Sequence, residues 1–172
     1  EFKNQRVIIL QNSRFKSSGS DGVIGYSYFG HHKVEVDYDN KIITLHDNDD
    51  AIDESGWDTI PLTFDRNNKP HLNIYVQIKD EEPVMLDVYI DYAASLSLEL
   101  TVIEGMKFIL PDKYEAEYGG YGLSGEVKGK TARITGYRIG KYEFKDVTAT
   151  FFEGNSRSKE KTADGVISND AL

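Results

Sequence analysis

The chain contains no cysteine, four prolines, two methionines and one tryptophan in 172 residues. Without cysteine there are no disulfides, no thiolate metal ligands and no cysteine nucleophile, while the compartment is left open. Long apolar runs are missing too, and the short ones cannot span a bilayer. Basic residues are in deficit: 20 Lys and Arg stand against 29 Asp and Glu, for a formal charge of −9. No basic patch exists to displace counterions from phosphates, which argues against nucleic acid as a partner. The opening residues Glu1 to Arg6 carry no signal-peptide pattern.

What is present points to strands. Eleven Tyr and eight Phe, with Val, Ile and Thr spread along the chain, favour an all-β fold, and 39% hydrophobic residues suffice for a core. Lys33 to Tyr38 alternates, turns at Asp39-Asn40 and continues as Lys41 to Leu45, the pattern of a β-hairpin. Asp47 to Asp58 is acidic and reads as a solvated linker. Beyond it, Ile60 to Phe64, His71 to Lys79 and Val84 to Asp91 read as strands, with Asp80-Glu81-Glu82 turning between the last two. Leu96 to Val102 extends the series, and Thr131 to Ile139 pairs with Tyr142 to Phe152 about Gly140-Lys141. Helix is scarce, confined to a turn after Gly25 and another near Thr101 to Gly105.

One segment occurs twice. Asp21-Gly22-Val23-Ile24 returns as Asp164-Gly165-Val166-Ile167, and each copy follows an apolar run and a polar loop, the runs being Val7 to Leu10 and Val147 to Phe152. The interval is that of a domain and too long for a solenoid. The chain therefore divides into residues 1–47, a linker at 48–58 and a longer unit at 59–172.

Asp91 is the leading candidate for chemistry. It closes the apolar run Val88-Tyr89-Ile90 and opens the small-residue turn Tyr92-Ala93-Ala94-Ser95. A carboxylate released at the mouth of a buried strand is costly to ionise unless hydrogen bonds hold it, which separates it from an ordinary surface Asp. The run Tyr118-Gly119-Gly120-Tyr121-Gly122-Leu123-Ser124-Gly125 contains a dinucleotide-like glycine spacing. No buried strand feeds it and no helical pattern follows, so it reads as a hinged flap over a cleft rather than a cofactor loop. Neither His31-His32, isolated His46 and His71, nor the acids of the linker match a zinc or calcium ligand spacing, and no metal or cofactor is expected.

These residues resemble the bacterial retropepsin-like aspartyl proteases. The likeness rests on the Asp91 loop, the flap at Gly122 to Gly129, the strands through Ile139 to Phe151, and Val23-Ile24-Gly25 with its weaker counterpart Val166-Ile167-Ser168. It implies a closed β-barrel, with residues 1–47 as the tail of a preceding lobe and 59–172 as a lobe lacking its last hairpin. It also implies a peptide or unfolded protein as substrate and a periplasmic or secreted location. Two carboxylates sharing a proton would do the chemistry. Asp91 is one, and the other would come from a second copy or from the missing lobe. Where the family has Thr or Ser and then Gly after the Asp, this chain has Tyr92 and Ala93. Tyr92 cannot supply the gripping hydroxyl, and Ala93 adds a Cβ where the family has none. The expectation is a lobe with impaired or absent peptidase activity, against two alternatives: an active endopeptidase, or a non-enzymatic β-domain for ligand binding or assembly.

Overall fold

The computed structural model describes residues 9, 21–122, 125–153 and 163–171. The Val7 to Leu10 run falls almost wholly outside them. The chain forms two compact units, Glu1–Trp57 and Asp58–Leu172.

In the first unit a one-turn helix, α1 (Tyr26–Phe29), follows the Asp-Gly-Val-Ile segment. Strands β1 (Lys33–Asp37) and β2 (Ile42–His46) then form the expected hairpin, with Lys33 opposite His46. Its turn is held by Asp37, whose carboxylate accepts hydrogen bonds from the Asn40 backbone (2.9 Å) and side chain (2.7 Å), and these bonds lower the Asp37 pKa. Lys41, at the end of the turn, takes a positive φ of 57°. Its apolar side chains Val34, Val36, Ile42 and Ile43 are all exposed.

The second unit is a closed barrel. Its strands are β3 (Thr63–Phe64), β4 (Pro70–Gln77), β5 (Val84–Asp91), β6 (Leu98–Val102), β7 (Ala116–Gly122), β8 (Gly125–Ile139), β9 (Tyr142–Glu153) and β10 (Gly165–Ser168). Neighbours run β4-β5-β10-β6-β9-β8, and β8 returns to β4 through pairs such as Val76 with Tyr137, closing a six-strand ring. The all-β fold expected from composition and alternation, and the closed barrel that the resemblance implies, are thus present. Two expectations change. The Ile60 to Phe64 strand shortens to two residues, since Pro61 has no N–H to give a ladder. The region of Thr101 to Gly105 is strand and then turn, because Thr101 and Val102 pair with Phe152 and Glu153.

Alternation explains the core. Leu72, Ile74, Val76 on β4, Leu86 and Val88 on β5, Leu98 and Leu100 on β6, and Ile134, Ala149 and Phe151 on β8 and β9 point inward and are buried. Each large aliphatic side chain so buried contributes about 1.5–3 kcal/mol. Strand β10 is the keystone, parallel to β5 and antiparallel to β6. Its entry is tight: a Cβ on Gly165 would lie 2.1 Å from the Glu99 carbonyl oxygen. Asp164 stitches it in place. Its backbone N–H donates to the Asp87 carbonyl (2.7 Å) and its carbonyl accepts from the Thr101 N–H (3.0 Å). Its buried carboxylate accepts from the Asp87 N–H at 2.9 Å and from Lys107 Nζ at 3.0 Å.

Candidate functional site

Asp91 is the last residue of β5, in register with Ser168 at the end of β10. It opens a tight turn. Its Oδ1 accepts the Ala93 N–H at 2.9 Å, and its carbonyl accepts the Ala94 N–H at 3.3 Å. Short Asp side chains commonly bond the backbone two residues on, so this local geometry follows from the sequence. The loop is then tied to the neighbouring strand: Ala94 accepts from the Asn169 N–H (3.4 Å) and Ser97 from the Ser168 N–H (3.1 Å). Ser97 Oγ donates to the Thr148 carbonyl at 3.1 Å, anchoring the far end to β9.

Tyr92 is 56% exposed, and Ser95 is exposed as well. Ala93 is not among the non-glycine residues with positive φ, which are Lys41, Asn68, Lys79 and Asp146. The backbone therefore accepts its Cβ without left-handed strain.

The glycine-rich run forms a β-hairpin, in which β7 pairs only with β8, from Ala116 with Thr131 to Gly122 with Gly125. Leu123 and Ser124, at its tip, lie outside the described residues, and the side chain of Tyr121 is not described. Tyr118 sits at the root, edge-on to Phe152 of β9 with ring centroids 5.5 Å apart. Gly120 has the Tyr118 hydroxyl 2.8 Å from where a Cβ would stand, so a side chain there would collide with that ring.

The tertiary structure adds a residue that sequence reasoning missed. Glu99 lies between Leu98 and Leu100 and reads from sequence as a solvent-facing residue of β6. Its strand neighbours are Val166 on β10 and Thr150 on β9, and Val166 in turn pairs with Tyr89 on β5. Partial burial, and then the charge of Asp91, push the Glu99 carboxyl up to about 7. Burial, with Asp91 and Glu99 adding to it, pushes the Tyr89 phenol up to about 12. Asp91, Tyr89 and Glu99 are therefore electrostatically coupled within one unit.

His71, which the sequence left isolated, is buried beside this group. Its Nδ1 is 3.0 Å from Asp87 Oδ1, its Nε2 is 3.9 Å from Asp65 Oδ2, and its ring centroid is 6.0 Å from that of Tyr89. Lys69 places its ammonium 4.0 Å from the centre of the Tyr89 ring. Among the described residues no set of three His, Cys, Asp or Glu side chains converges as a metal site.

No protein-family model matches the chain. No curated protein matches it either. Among solved structures, a retropepsin-like aspartic protease from Rickettsia conorii is similar, at 22% identity over 63% of this chain and 80% of that one, with a TM-score of 0.42.

Proposed function

We propose that the barrel is an aspartic-peptidase-like domain that binds an extended peptide beside Asp91, under the β7–β8 flap, with its peptidase activity impaired or absent. The observation that carries this reading is the Asp91 turn. Its carboxylate engages the Ala93 amide, and the position where a gripping hydroxyl would be needed is held by the exposed ring of Tyr92. A strand-end carboxylate on a barrel that also carries the β7–β8 hairpin supports recognition by strand addition, in which backbone hydrogen bonds give affinity and pockets for alternate side chains give selectivity. In this reading Asp91 and the loop Tyr92 to Ser95 form the floor, and Tyr118 to Gly125 the lid.

The alternative of an active endopeptidase has one observation in its favour. Val23 and Ile24 are 53% and 62% exposed, whereas their counterparts Val166 and Ile167 are buried in the barrel. An Asp-Gly-Val-Ile segment without strand partners among the described residues suits the closing piece of a separate lobe, and such a lobe would bring a second Asp to the dyad. On this basis residues 1–47 belong to a preceding lobe, and 48–58 link it to the barrel.

Unstructured peptides offered at acidic pH separate the two. Binding without turnover, retained in Asp91→Asn, is the expected result. Cleavage that disappears in Asp91→Asn and with a statine-type inhibitor would overturn the non-catalytic reading in favour of the peptidase.

A further inference from the structure

Two rows of side chains cross the outer face of the barrel from β5 to β9. One holds Asp91, Ser168 and Ser97, and the next holds Tyr89, Val166, Glu99 and Thr150. Strand residues two apart share a face, so both rows lie opposite the core side chains Val88, Leu98 and Ile167. This is not an ordinary wet surface: Thr150 is 3% exposed and Ser168 fully buried. A third row brings Thr101 and Phe152, and Tyr118 from the flap root rests on that Phe152 ring. The root of the flap at Tyr118 therefore lies on the same face as Asp91 and Glu99.

Among the described residues the Glu99 carboxyl has no hydrogen bond or ion pair. The groups of β5 nearest it are Asp91, an anion, and Tyr89, a phenol, while β10 and β9 flank it with uncharged Val166 and Thr150. The neighbouring cation, Lys69, is committed to the Tyr89 ring and forms no ion pair with Glu99. A second polar group on this face is also unspent. Ser168 Oγ is buried with no hydrogen-bond partner, in register beside Asp91. A half-buried carboxyl and a buried hydroxyl left without partners are unfavourable until something supplies them.

We propose that Glu99 is a specificity-determining residue of this face, where it receives the side chain of a lysine or arginine from an extended peptide lying across β5, β10 and β6. This rests on the peptide-binding reading above. A strand laid along this face turns every second side chain toward it, and a cation there meets both Glu99 and the field of Asp91. Desolvation by the bound peptide strengthens that pairing, whereas an uncharged side chain of equal length leaves the carboxyl unmatched. Burial and Asp91 already raise the Glu99 carboxyl, so an arriving cation restores its ionised form.

The test uses the whole chain and fluorescein-labelled octapeptides that carry lysine, arginine, norleucine or glutamate at one position in turn, read by fluorescence polarisation at mildly alkaline pH. Lysine and arginine peptides should bind about tenfold more tightly than the norleucine peptide, and Glu99→Gln should abolish that preference. The 13C carboxyl titration of Glu99 should also shift to lower pH when the lysine peptide is bound. Peptides that bind with no preference for a cation, or with one that survives in Glu99→Gln, would overturn this proposal and leave peptide binding standing. If no peptide binds, the peptide-binding reading itself falls and this proposal with it. A melting temperature for Glu99→Gln no lower than that of the parent chain excludes unfolding as the cause of a lost preference.

Discussion

The two copies of Asp-Gly-Val-Ile share four residues and have opposite surroundings. In the barrel the segment enters between β5 and β6, where Ile167 is fully buried and Gly165 has no room for a Cβ. In the first unit Val23 and Ile24 are exposed, and a Cβ on Gly22 would meet nothing within 4 Å. The tetrapeptide therefore does not carry its structure with it. Its isoleucine becomes core only where two other strands provide edges to pair with, and its glycine becomes indispensable only where a carbonyl already occupies the space.

Paired substitutions are the sharpest way to break this comparison. Gly165→Ala should have the largest effect, because its Cβ would overlap the Glu99 carbonyl oxygen, which belongs to the backbone and cannot step aside. A loss of about 3 kcal/mol or more is expected in urea unfolding, while Gly22→Ala stays within about 0.5 kcal/mol. Equal effects at the two glycines would mean that the first copy also sits between strands in solution. Next comes Ile167→Ala, which removes a fully buried side chain and should cost about 2–5 kcal/mol, against about 0.5 kcal/mol or less for Ile24→Ala.

A smaller effect belongs to Glu99, whose backbone lines the Gly165 entry. Its carboxyl holds a proton up to about pH 7 when folded, against 4.5 as an ordinary carboxyl. Between those values the folded form binds more protons than the unfolded one, so stability must fall as pH rises through the window and stay low above it. Solvent screening of a half-exposed group limits the loss to about 1–2 kcal/mol. Glu99→Gln should flatten this decline, and denaturant midpoints measured at pH values on either side of the window would show it. A decline equally steep in the variant would place the titrating group elsewhere.

Much of the barrel was legible because its strands alternate strictly. Val84 to Asp91 was delimited by its apolar run at one end and its small-residue turn at the other, and the β8–β9 hairpin was marked by Gly140-Lys141. The Asp91 turn was readable for the same local reason, as an Asp followed by small residues bonds its own backbone. Glu99 was not readable. Leu98-Glu99-Leu100 is the ordinary signature of a half-solvated strand, and seven residues of chain lie between Asp91 and Glu99. Asp164 stood out only as part of a repeat, and its task of satisfying the Asp87 N–H and Lys107 became visible once β10 was seated.

By itself the sequence determined the elements: a period of two with β-branched and aromatic residues makes strands, and Asp, Gly and Asn in the gaps make turns. These are interactions between near neighbours along the chain. Only the tertiary structure decided which strands close the barrel, which copy of Asp-Gly-Val-Ile becomes its keystone, and that Glu99 shares a face with Asp91. Those outcomes depend on pairing edges far apart in sequence, where the deciding terms are the fit of one backbone against another and the charge that one carboxylate imposes on the next.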